Sequence, residues 1–207
     1  MKKDLYLVSL IGFLLGWLVL LPVKNFGFAI TPQLVLGAVV GFTLLAPLAL
    51  LILKFLSRFW AVLYQFGKFA AVGALNTLID LGLLNLLILL TGISAGIYFS
   101  VFKAFSFLIA ITNSYFWNKF WTFQSKQPLN VREYVRFLFF TVIGFLINVS
   151  VASFLVSVVG PLFGTTPIQW ANVGALAATL VTLMWNFLAY RYVVFKGSVQ
   201  KSEPAGE

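Results

Sequence analysis

Six apolar stretches dominate the chain, at about Leu5–Leu21, Gln33–Leu53, Phe69–Leu90, Ile97–Trp117, Phe137–Val159 and Ile168–Tyr190. A helix rises 1.5 Å per residue, so about 20 apolar residues cross the hydrocarbon core of a bilayer. Turn-forming residues punctuate the stretches: Pro22, Thr31-Pro32, Gly92, Gly96, Pro128, Gly160-Pro161 and Pro167. No segment alternates with period two over the length a membrane barrel strand needs. The pattern predicts an all-α, polytopic membrane protein with six transmembrane helices.

Composition narrows the chemistry. Of 207 residues 61% are hydrophobic and 9% charged, against about 25% charged in soluble domains. That excludes a soluble enzyme, a disordered tail and a disulfide scaffold. The absence of His and Cys removes imidazole bases, thiolate nucleophiles and Cys/His metal sites, so no cofactor or metal is implied. The five acids are Asp4, Asp80, Glu133, Glu203 and Glu207. Only Asp80 falls inside a span, and an enzymatic acid–base pair is therefore missing. The run after Met-Lys-Lys resembles a signal peptide, but no small-x-small pattern precedes Lys24, so the first helix is read as retained.

The bases set the orientation. With both termini cytoplasmic, twelve of the fourteen Lys and Arg fall on the cytoplasmic side, Lys24 lies outside and Lys103 lies within a span. The loops around 54–68 and 118–136 are then cytoplasmic, and the location is the plasma membrane. The net charge of +9 is topological. It favours anionic membrane lipids as partners and forms no soluble patch for nucleic acid.

The chain divides into an N-terminal hairpin (1–58), a four-helix domain (66–196) and a cytoplasmic tail (197–207). Each hairpin helix carries a Gly-x-x-x-Gly, Gly12 with Gly16 and Gly37 with Gly41, a spacing that lets helix backbones approach closely in lipid. Pro47 is placed to kink the second helix. The last four spans read as two parallel two-helix repeats. Lys68-Phe69 opens one and Arg136-Phe137 the other, and the closing segments share the step from Lys119 to Phe123 and from Arg191 to Phe195.

Polar residues inside the spans are the candidate site. Asp80 lies about 18 Å beyond Lys68, and Lys103 about 10 Å in from the opposite edge, an offset of about 6 Å that a lysine side chain can bridge. Pairing removes much of the cost of an intramembrane charge, at least ~2.5 kcal/mol. Gly73, Asn76, Thr77 and Asp80 recur at three- and four-residue steps and share one face of the third helix. Asn113 and Asn148 extend a polar interior, or act only as hydrogen-bonding glue between helices. At the cytoplasmic mouth stand Asn118, Lys119, Trp121, Asn186, Arg191 and Tyr192. Lys and Arg suit a phosphate, although positive-inside charge and an aromatic belt account for the same residues.

Three segments carry a resemblance. Phe69-Ala-Ala-Val-Gly73-Ala-Leu-Asn76-Thr-Leu-Ile-Asp80, Asn113-Ser-Tyr-Phe-Trp-Asn118-Lys119-Phe-Trp121-Thr-Phe123 and Asn186-Phe-Leu-Ala-Tyr-Arg191-Tyr-Val-Val-Phe195 are similar to the GtrA-like family of four-span membrane proteins. The resemblance covers residues 66–196 and leaves out the first hairpin. It implies translocation of a polyprenyl-phosphate-linked monosaccharide to the outer leaflet for cell-envelope polysaccharide glycosylation. Asn76, Asp80 and Lys103 would line the route, with Lys119 and Arg191 receiving the phosphate. The implied partners are the sugar lipid itself, a membrane glycosyltransferase and a homo-oligomer. Two other roles stay open: a non-transporting anchor or scaffold for a glycosyltransferase, as in some dolichol-phosphate-mannose synthases, and a small multidrug-type exporter. The latter generally relies on an early intramembrane carboxylate, which the first span lacks.

Overall fold

The computed structural model describes residues 1–20 and 29–196. Pro22, Lys24 and the 197–207 tail lie outside the described residues. Six α-helices follow in order: α1 (Lys2–Leu18), α2 (Pro32–Leu56), α3 (Val62–Thr91), α4 (Gly96–Trp117), α5 (Val131–Phe154) and α6 (Pro167–Ala189). The last three run on into π-helical turns at Asn118–Thr122, Leu155–Val159 and Tyr190–Val194. No strand occurs among the described residues.

Five helical segments are long and apolar enough to cross a membrane: Pro32–Leu56, Val62–Thr91, Gly96–Thr122, Val131–Val159 and Val173–Val194. The described part of α1 is shorter, 17 residues. Large apolar side chains such as Leu36, Leu44, Leu89, Phe139 and Leu176 stand exposed. Such a surface needs lipid around it.

Local chemistry sets the helix ends. Thr31 caps α2, its hydroxyl accepting from the Leu34 amide at 3.2 Å, with Pro32 in the first turn. Asn130 caps α5 by accepting from the Arg132 amide at 2.8 Å. Gly92 ends α3 in the left-handed region, φ 73°, where a Cβ is disfavoured. The α2 helix continues through Pro47.

The hydropathy reading starts the third span too late. The α3 helix begins at Val62, so Lys68 lies nearly two turns inside it and the 54–68 loop shrinks to a turn. A charge ends an apolar run in sequence, but a paired charge need not end a helix. The 118–136 loop contracts for the same reason, with helix through Thr122 and again from Val131.

Two compact units divide the chain, Met1–Thr122 and Phe123–Glu207. The first does not respect a break between 1–58 and 66–196, because α1 and α2 both pack on α3. Within it, a Cβ on Gly12 would come closer than 3.0 Å to the backbone of Phe42, and one on Gly16 closer than 3.0 Å to Val39. Gly37 and Gly41 face open space. One Gly-x-x-x-Gly therefore seats α1 on α2, and the other makes no contact. The second unit holds α5 and α6, packed on each other.

Candidate functional site

Lys68, Val72, Asn76 and Asp80 follow one another at four-residue steps along α3. That spacing puts them on one face. Val72 is fully buried, and the polar members meet partners on other elements of the first unit. Asn113 of α4 donates its amide to the Asn76 carbonyl at 2.8 Å. One α3 turn further on, Lys103 donates to Asp80 Oδ2 and the Ser106 hydroxyl donates to Asp80 Oδ1 at 2.6 Å. Ser106 is fully buried. Asp80 lies twelve residues before Gly92 and Ser106 ten after Gly96, about 18 and 15 Å from their helix ends. These two thus stand at nearly the same depth, and Lys103 reaches inward to join them.

Ser106 was not among the residues expected from sequence. Its signal was there, three residues and so one turn after Lys103, but a lone serine in a span is unremarkable by type. Gly73 and Thr77, expected to share the inward face, are instead exposed, with nothing within 4 Å of a Cβ on Gly73. The helix face turns by 100° per residue, and α4 covers only the Asn76–Asp80 line. The Asn76 amide nitrogen is buried and has no hydrogen-bond partner among the described residues. It is a donor left over beside Asn113.

At the opposite end of this line lies a cluster that sequence reasoning missed. Asp4 of α1 accepts from Trp121 Nε1 at 2.7 Å and from the Tyr64 hydroxyl at 2.9 Å, and pairs with Lys68 Nζ at 3.1 Å. The amino terminus stands 3.4 Å from the same carboxylate. Lys68 is 3% exposed, and its ammonium also sits over the Tyr64 and Trp121 rings at 5.1 and 5.4 Å. Burial pushes the Asp4 carboxyl up, but the hydrogen bonds from Trp121, Tyr64 and Lys68, with the Lys68 charge, outweigh it and hold the group well below the usual carboxylate range. Asp4 looks in sequence like one more residue of a charged N-terminus, and Lys68 like one more positive-inside base. Only the packing of α1 on α3 brings them together.

Trp121 belongs to the π-turn that closes α4. Asn118 there donates to the Ser114 carbonyl at 2.9 Å. The Lys119 side chain is 0% exposed, its ammonium 5.9 Å above the Tyr115 ring. It is not the open, solvent-facing base that a phosphate seat at the mouth was expected to be.

In the second unit, Asn186 packs on Gly144, where a Cβ would overlap its side-chain oxygen. Arg191 is half-buried and lies over the Tyr192 ring at 5.5 Å. Asn148 is half-buried and makes no hydrogen bond among the described residues. Phe137 meets Tyr190 at 4.5 Å, and Phe123 stacks on Phe195 at 5.1 Å. Phe123 and Phe195 close the two repeat segments, so equivalent residues of the two copies pack on each other. The π-turns Asn118–Thr122 and Tyr190–Val194 also fall at equivalent places, each beginning one residue before the shared base, Lys119 or Arg191.

Long apolar helices, an intramembrane ion pair and polar rungs between helices define a polytopic membrane protein built of helical hairpins. Residues 68–195 match the GtrA/DPMS transmembrane domain, and the chain belongs to that family. It is 34% identical over 134 residues to a protein of Bacillus subtilis (strain 168) described as uncharacterized membrane protein YngA, covering 65% of this chain and 81% of the relative. No solved structure matches.

Proposed function

We propose that the protein translocates a polyprenyl-phosphate-linked monosaccharide across the cytoplasmic membrane, with both termini cytoplasmic. A polar headgroup crossing hydrocarbon needs polar groups to replace its water, held where irregular or polar surface is buried in protein. The observation that supports this reading is the Asp80–Ser106–Lys103 cluster near mid-span, one turn from the Asn76–Asn113 rung with its unspent amide donor. Carboxylate and amide oxygens accept sugar hydroxyls, and an ammonium meets a phosphate. In this reading Asn76, Asn113, Asp80, Lys103 and Ser106 exchange their mutual hydrogen bonds for bonds to the headgroup. Membership of a family whose domain is shared with sugar-lipid chemistry supports the substrate class.

The test is reconstitution of the purified protein in vesicles with polyprenyl-phosphate sugars, reading the leaflet in which the sugar is accessible. Transport by the wild type that is lost in Asn76→Ala or Ser106→Ala, with folding retained, supports the reading. A folded protein that moves no lipid alone, yet restores activity to a co-reconstituted glycosyltransferase, would replace it with an anchoring role.

A further inference from the structure

Three donors of different chemistry converge on the Asp4 carboxylate: the Lys68 ammonium, the Trp121 indole N–H and the Tyr64 hydroxyl. Lys68 and Trp121 lie inside the family-matched segment 68–195, whereas the anion between them comes from α1, outside it. A nearly fully buried ammonium is stable only with a counter-charge, so the matched domain holds the donors for an oxyanion without supplying the oxyanion. The geometry points to an anion site for a phosphate group at Lys68, Tyr64 and Trp121, with Asp4 as its built-in plug.

The donor set suits a phosphate oxyanion. An ammonium and two neutral N–H and O–H donors bind tetrahedral oxygens without the planar fork that arginine offers. The two aromatic rings around Lys68 keep water out and leave an apolar wall for the first carbons of a lipid tail. The site also sits at the start of the α3 line that continues through Asn76 to Asp80, so a phosphate held there is aligned with the polar rungs. Asp4 competes for the same donors, one negative charge for another, and the phosphate gains them only when the first turn of α1 lifts away. The N-terminal hairpin thereby sets the affinity of a site that it does not itself build. The inference concerns binding, and a protein that moves no lipid can still satisfy it. Its failure is therefore distinct from failure of the transport reading.

The experiment uses the full chain in detergent, with farnesyl phosphate, farnesol and inorganic phosphate as probes and calorimetry as the readout. Asp4→Asn keeps an oxygen acceptor for Trp121 and Tyr64 while removing the charge. It is expected to bind farnesyl phosphate at least about tenfold more tightly than the wild type, a modest share of what a close buried charge pair is worth. Asp4→Asn/Lys68→Met is expected to lose that gain, and farnesol to show none of it. An equal gain for inorganic phosphate identifies a free-anion site, and a gain confined to farnesyl phosphate identifies a lipid headgroup site. A folded Asp4→Asn protein with unchanged affinity for both phosphates overturns the proposal and leaves Asp4 as a packing latch. A second measurement keeps Asp4 in place. The chain has no cysteine, so a spin label at Lys3→Cys reports the first turn of α1 alone. Saturating farnesyl phosphate should mobilise it, and an unchanged spectrum at saturation rejects displacement of the plug.

Discussion

Neutralising Asp80 and Lys103 singly and together separates a true pair from two adjacent charges. Lys103→Met strands the Asp80 carboxylate, whose side chain is 18% exposed and, at about 18 Å from the end of α3, too short to reach water. Only the Ser106 hydroxyl still solvates it. Breaking a buried pair in this way costs about 3–5 kcal/mol, and the Ser106 bond places the expected loss near 3 kcal/mol. Asp80→Asn strands Lys103 instead, but that side chain is 42% exposed and lies about 10 Å from its helix end, so the ammonium can extend toward the interface. The expected loss is about 1–2 kcal/mol. The double variant carries no orphan charge and keeps an acceptor for Ser106, which places its cost near 1 kcal/mol. The coupling is then about 3 kcal/mol, at the top of the range for residues in contact. Unfolding free energies from titration with denaturing detergent in mixed micelles measure all three variants. Losses that add to within about 0.5 kcal/mol would falsify the pair. A larger loss for Asp80→Asn than for Lys103→Met would refute the depth argument.

Single cysteines at positions 94 and 164 should be labelled only from outside the cell, and those at 58 and 126 only from the cytoplasm. Cytoplasmic labelling of 94 or 164 would overturn the orientation. Gly12→Ala should destabilise by about 1–3 kcal/mol, because its Cβ meets Phe42 backbone that cannot turn aside, whereas Gly37→Ala should change thermal stability little. Gly144→Ala should lower stability by a similar amount, read by the same melts. Adding Asn186→Ala should recover much of the loss by removing the atoms that the new Cβ overlaps; no recovery would place the clash elsewhere.

The helices and the intramembrane pair were legible in sequence because their signals are local or additive. Apolar runs of membrane length declare themselves, and the rise per residue puts Asp80 and Lys103 within reach of each other. Asn76 and Asn113 also stand at matching depths once the hairpin turn at Gly92–Gly96 is fixed. What sequence hid depends on non-local contact. Asp4 and Trp121 are 117 positions apart, and no periodicity links them. Lys119 counts as a cytoplasmic base by position and proves fully buried. Gly37 and Gly41 have the same spacing as Gly12 and Gly16, yet only the latter pair meets another backbone. Spacing tells where a close approach is permitted, and not whether a partner helix takes it.

The matching π-turns at Asn118–Thr122 and Tyr190–Val194 bear on how the chain arose. A π-turn is rare and amounts to one extra residue wound into an α-helix, which rotates everything beyond it by about 100°. Two separate insertions at corresponding places, each one residue before a base and five before a phenylalanine, are a poor explanation of the match. One insertion in an ancestral hairpin, copied when the gene doubled, explains both. The third π-turn, at Leu155–Val159, has no counterpart at the corresponding end of α3, which stays α-helical to Thr91, and so dates from after the copies parted. The ancestor was then a two-helix peptide that already carried its wound-in residue. It could assemble the four-helix arrangement only by pairing with another molecule of itself, before fusion made the two halves free to diverge.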